Sequence, residues 1–129
     1  MYGSQAYADV GMESSVMSAS PHKLITLLFD GALSALAKAD IYMQQGNIPL
    51  KGKNITHAIN IINNGLKAGL DMENGGELSR NLAGLYDYFC RTLVQVNRRN
   101  DRELLQQIRQ LLGEIAEAWK DIAPEPGKS

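Results

Sequence analysis

The stretch SPHKLITLLFDGALSALAKADIYMQQG, from Ser20 to Gly46, decides the fold class, because it is a helix with both of its ends written in. Ser20 is a good N-cap: its hydroxyl can accept from the backbone N–H groups that a helix leaves unpaired at its start. Pro21 suits the first helical position, where its fixed φ is already helical and its missing N–H is not needed. The pattern runs to about Gln45 and stops at Gly46, with Pro49 just beyond. On a wheel at 100° per residue, Ile25, Leu28, Phe29, Ala32, Leu36, Ala39 and Met43 form one apolar face, while Lys23, Asp30, Ser34 and Lys38 sit close together on a narrow polar one. Such a helix is stable only where its apolar face is covered by other elements.

Those elements follow along the chain. A second helix is expected from Leu50 to Glu73, closed by Asn74, Gly75 and Gly76, and a third from Glu77 to Arg98. Asn100 and Asp101 cap a fourth, which ends near Ile122 before Pro124, Pro126 and Gly127. Connections of about two to five residues make sequential helices antiparallel neighbours. The expectation is an all-α protein of one domain, residues 1–129: an antiparallel four-helix bundle over 20–123 and a flexible tail over 124–129. Ahead of the bundle, Tyr7, Val10, Ser14 and Met17 are spaced for one helical face, but Gly3, Gly11 and several serines dilute helix propensity. Residues 1–19 are therefore expected to form a short helix or strap packed across the bundle.

The four wheels are not alike. In the fourth helix Leu104, Ile108, Leu111, Leu112, Ile115, Trp119 and Ile122 form one stripe opposite Arg109, Gly113, Glu117, Lys120 and Asp121, so it has no apolar surface to spare. The first helix carries a second stripe beside its core face: Leu24, Leu27, Gly31, Ala35 and Tyr42. In the second helix the core stripe is Ile55, Ile59, Ile62, Leu66 and Leu70, flanked by Ala58, Ile61, Gly65, Ala68 and Met72, with His57, Asn60, Asn64, Lys67 and Asp71 opposite. A thick bundle core would use these flanking stripes, and so would a groove for another protein's helices. Gly31, Gly65 and Gly69 stand inside helices, where each costs roughly 0.5–1 kcal/mol relative to alanine. A row of small residues lets a second backbone approach, within the bundle or from a partner. The N-terminal strap, with Tyr7, Val10 and Met17, would cover such a groove when it is empty and so avoid an aggregation hazard. The candidate partner-binding set is accordingly Tyr7, Val10, Met17, Leu24, Leu27, Gly31, Ala35, Tyr42, Ala58, Ile61, Gly65, Ala68 and Met72, together with Leu28 of the core face.

Composition excludes several function classes. The net charge is −1 and the isoelectric point about 6.1, so no basic field exists to attract nucleic acid or an anionic membrane. Arg98, Arg99 and Arg102 cluster, but Asp101 and Glu103 lie among them, as at a solvated helix junction. No apolar run approaches the roughly 20 residues of a membrane span or resembles a signal peptide. With a single cysteine, Cys90, the chain reads as soluble and intracellular, in a reducing compartment, without disulfide or cofactor. The two histidines, His22 and His57, do not follow a glutamate by three residues, so no di-iron bundle site is spelled out, and no zinc-ligand spacing can be assembled. Cys90 reads as a small apolar residue, with nothing basic arranged to lower its pKa. Tyr86 and Tyr88 fall on different sides of the third helix, so at most one is fully buried. The rival reading from another class is a histidine phosphotransfer domain using His57 on the solvent face of the second helix. There the lysine and small residues that would help hold a phosphoryl group are replaced by Ala58 and Ile59.

The run Ser18-Ala19-Ser20-Pro21-His22-Lys23-Leu24-Ile25, followed by Leu28-Phe29-Asp30-Gly31-Ala32, resembles the flagellin-specific export chaperones of the flagellar type III secretion system. So do Ala58-Ile59-Asn60-Ile61-Ile62 with Gly65-Leu66 and Leu70-Asp71, Gly75-Gly76-Glu77 with Asn81-Leu82, Leu85-Tyr86-Asp87-Tyr88, and the closing Glu117-Ala118-Trp119. Tyr7 matches that family's N-terminal tyrosine pattern. Departures are slight: Val96 stands where alanine is common and Cys90 where a larger apolar residue is usual. The resemblance implies a cytoplasmic, non-enzymatic helical bundle, present as a monomer or weak dimer. Its partners would be the C-terminal segment of flagellin, disordered when free, and a component of the flagellar export gate. It also implies that the guest folds into helices around the chaperone, moves the N-terminal segment aside and is kept from premature polymerisation.

Overall fold

The computed structural model describes residues 19–122; the strap residues Tyr7, Val10 and Met17 and the tail 124–129 lie outside them. Among the described residues the chain is all helix: α1 (Pro21–Gln45), α2 (Ile48–Ile61) continuing into a π-helical segment (Ile62–Lys67), α3 (Gly76–Arg99) and α4 (Arg102–Asp121). The ends of α1 are built as the sequence dictates. The Ser20 hydroxyl accepts from Lys23 N at 3.2 Å. Gly46, at φ 70°, takes the left-handed turn that lets its own N–H reach Met43 O and the Asn47 N–H reach Tyr42 O, satisfying two terminal carbonyls.

Two boundaries differ from expectation. Helix α2 begins at Ile48 rather than Leu50, because the Asn47 side chain accepts from Leu50 N and caps it; Pro49 sits in its first turn instead of ending α1. The α-helical pitch of α2 also stops at Ile61, not Glu73. After the π-helical turns through Lys67 the chain leaves helix altogether. Asp71 accounts for the turn that follows: its carboxylate accepts from Glu73 N at 3.2 Å and Asn74 N at 2.9 Å, offering the backbone a local alternative to helix.

Three polar ties hold the helices antiparallel. At one pole the start of α1 meets the end of α4, where His22 Nε2 lies 2.8 Å from Trp119 O. At the other, Asp40 near the end of α1 receives Arg102 at the start of α4 at 2.9 Å. There too the buried Lys51 ammonium, at the start of α2, donates to Asn97 O at 2.8 Å and to Asn100 Oδ1 at 3.4 Å, covering the carbonyl end of α3. The core between the helices holds Phe29, Leu36, Ile55, Ile62, Phe89, Leu93, Leu105, Ile108 and Leu112, all essentially inaccessible. Each contributes roughly 1.5–3 kcal/mol of burial. Helix α1 packs on α2 and α4, and α3 packs on α2 and the π-helical segment. Helices α3 and α4 also pack on each other, about as extensively as α2 and α3 do. No described helix is long and apolar enough to cross a membrane.

Candidate functional site: an apolar cavity at one end of the bundle

The flanking stripes of α1 and α2 face each other. A Cβ on Gly31 would stand 3.3 Å from Ile61 Cδ1, and one on Gly65 3.0 Å from Leu28 Cδ2, so the glycines let α1 and α2 close tightly. Ala35 and Ala58, expected on a groove, are instead 3% and 0% exposed within the core. Leu24, Leu27, Leu28, Gly31, Tyr42, Ile61 and Gly65 are half-buried, and Ala68 and Met72 are exposed. Most of the surplus read from the first two wheels is thus used to join them, leaving only an edge.

The free apolar surface lies elsewhere. At the end of the bundle where α3 begins and α4 ends, a cavity of about 400 Å³ opens among α1, the π-helical segment with the turn after it, α3 and α4. Helix α1 supplies Ile25 and Phe29; the π-helical segment and the turn after it supply Leu66, Gly69 and Leu70; α3 supplies Leu78, Leu82 and Tyr86; α4 supplies Ile115, Ala118, Trp119 and Ile122. The mouth is apolar as well, with Leu78 and Ile122 68% and 67% exposed. The π-helical segment belongs to this geometry. Its wider turns carry Leu66 inward, after which the chain turns so that Leu70 joins the same wall.

Few polar groups reach the cavity, and those that do are occupied or neutral. The Trp119 indole N–H is spent on His22 O at 3.1 Å. Burial pushes the Tyr86 hydroxyl up to about 12, so the phenol is uncharged at any physiological pH. Such a lining offers shape and dispersion to apolar side chains and no nucleophile or general base. Cys90 is separate from it: half-buried on α3, its thiol directed at Ile59 O at 3.8 Å and raised in pKa by burial and then by Asp87, against an opposing effect of Lys67. His57 is exposed on α2. Tyr86 is buried at 3% while Tyr88 is 43% exposed, as their opposite placement on the wheel requires.

Sequence reasoning missed most of this site, since Ile25, Phe29, Leu66, Leu70, Ile115 and Trp119 look like ordinary core and α4 was expected to have nothing to spare. The available signal was the width of the α4 stripe: Leu104, Leu111, Ala118 and Ile122 lie to one side of its core line. Leu78, directly after a helix start, was the other.

Most of the chain also matches known proteins. The family model described as flagellar protein FliS matches residues 3–126. The flagellar secretion chaperone FliS of Salmonella typhimurium is 56% identical over 123 residues, covering 95% of this chain and 91% of the relative. The protein of that name from Escherichia coli is 49% identical over 124 residues, covering 96% and 91%, and that from Vibrio cholerae 41% identical over 121 residues, covering 94% and 88%. These names lend no support to phosphotransfer at His57.

Proposed function

The chain belongs to the flagellar protein FliS family, and from that membership we propose that it is a flagellar secretion chaperone whose cargo is flagellin. The family is one of chaperones, not enzymes. On this reading the chain works in the bacterial cytosol as a monomer or weak dimer. It binds the disordered C-terminal segment of newly made flagellin, keeps it from polymerising early, and brings it to a component of the export gate.

The observation that carries the proposal is the 400 Å³ apolar cavity with its exposed apolar mouth. A segment that orders on binding loses several kcal/mol of conformational entropy and needs a long apolar contact to offset it. An amphipathic helix laid over the cavity between the start of α3 and the end of α4, with one or two large side chains inside it, makes such a contact. The half-exposed edge of the α1–α2 seam, Leu24 and Leu27 with Ala68 and Met72, extends the surface for a guest long enough to wrap around.

Trp119 is the only tryptophan in the sequence and lies in the cavity wall, so its emission reports occupancy. Titrating the chain with the flagellin C-terminal segment should give one-to-one calorimetric binding, a shift of Trp119 emission and a gain of helical circular dichroism. Saturable binding that leaves Trp119 unmoved would put the guest elsewhere. No binding of that segment would refute the cargo.

A further inference from the structure

His22 and Trp119 form a reciprocal clasp between the start of α1 and the end of α4, beside the cavity. The His22 ring nitrogen Nε2 is 2.8 Å from Trp119 O, and the Trp119 indole N–H donates to His22 O at 3.1 Å. Their rings stack at 4.5 Å between centroids, with 10° between planes. A carbonyl can only accept, so the hydrogen-bond network assigns the proton to Nε2. Trp119 lines the cavity; His22 does not.

The position of this clasp gives it a role beyond holding two helices together. Ala116 is the last fully buried residue of α4, and Ala118 and Ile122 beyond it are exposed. Past Ala116 the final turn is held to α1 by the clasp and by the Lys120–Asp30 pair at 3.2 Å, both of whose members are substantially exposed. An exposed pair of that kind contributes little. The clasp also consumes the indole N–H, which turned toward an apolar cavity would lack a partner at a real desolvation cost. We infer that His22 is a positioning residue of the binding cavity: its ring, stacked on the indole and bonded to Trp119 O, fixes Trp119 as an apolar wall already in its bound orientation, while its backbone carbonyl takes the indole N–H. This rests on the reading that the cavity receives the flagellin segment. A wall fixed in advance loses less side-chain entropy when the guest arrives, so the clasp sets affinity without touching the guest.

His22→Ala removes the stack and the Nε2–H bond to Trp119 O, and His22→Phe keeps a stacking ring and removes that bond. Both keep the residue 22 backbone carbonyl that accepts from the indole N–H. Lys51→Met, at the opposite pole, is the control for lost stability alone. For each, the melting temperature, the accessibility of Trp119 to acrylamide quenching and the Kd for the flagellin C-terminal segment are measured. His22→Ala should weaken binding roughly tenfold, the size of one net hydrogen bond, and make Trp119 more quenchable. His22→Phe should fall between it and the parent, and Lys51→Met should melt lower with Kd unchanged. If the His22 variants lose no more affinity than Lys51→Met, the clasp is only a structural tie and the inference is wrong. If the unaltered chain does not bind the segment, the cargo reading fails and the inference falls with it.

Discussion

Ala118→Trp is the most direct test of where the guest binds. Ala118 is exposed, stands on α4, and lines the cavity, so an indole there has an apolar space of about 400 Å³ to enter without displacing core residues. A fully buried aromatic side chain covers about 150–250 Å². At roughly 25 cal/mol per Å² that is about 4–6 kcal/mol, and half of it, about 2–3 kcal/mol, for a side chain entering from the rim. Less helix propensity than alanine, at most about 0.7 kcal/mol, subtracts from this. The free variant should therefore melt at or above the parent. A guest must then evict the indole or forgo the cavity, and either costs the same 2–3 kcal/mol, which is a roughly 30- to 150-fold weaker Kd. Calorimetric titration of the parent and variant with the flagellin C-terminal segment measures it. A variant that is folded, melts no lower than the parent and binds within threefold of it would show that the cavity is not the docking site.

Two further outcomes follow from the ties between helices and a third from a buried phenol. Lys51→Met leaves Asn97 O and the carbonyl end of α3 without their ammonium, which should cost about 1–3 kcal/mol and lower Tm by roughly 4–12 °C in a thermal melt. Arg102 beside Asp40 holds that carboxyl below its usual range, with Gln44 and Arg109 helping against desolvation. A depressed carboxyl stabilises above its unfolded pKa and ceases to as the pH falls through its folded one. Asp40→Asn should thus cost less than about 1 kcal/mol at pH 7, the exposure of Arg102 limiting the effect, and the gap in urea midpoints should close below about pH 4. Tyr86, held neutral up to about 12, works in the opposite direction. The unfolded chain ionises first, near pH 10, so stability should fall by roughly 2 kcal/mol between pH 10 and 12, and Tyr86→Phe should remove that loss from alkaline denaturation curves.

Local chemistry made the helices legible. Ser20, Gly46 and Asp101 carry their instructions in their own side chains or in the lack of one, and each acts on backbone groups within a few residues. Asn100, expected to share the cap of α4, instead ends α3 in a left-handed turn at φ 55°. The end of α2 was misplaced because two local signals competed. Apolar spacing continues through Leu66 and Leu70, whereas the Asp71 carboxylate captures the backbone N–H groups just beyond it. Periodicity counts the first signal and is blind to the second.

From its own letters, then, the chain determines an all-α bundle, its capping residues and, through the order of its motifs, its family. Which apolar stripe stays open was decided in three dimensions. A wheel shows that a helix has more apolar surface than one contact needs, but not which neighbour takes it. Gly31 and Gly65 brought α1 and α2 close enough to consume their own surplus against Ile61 and Leu28. Helix α4, which looked complete by itself, keeps Ala118 and Ile122 uncovered beside Leu78 at the cavity. Burial is a property of pairs of surfaces, and the angle between helices far apart in sequence selects the pairs.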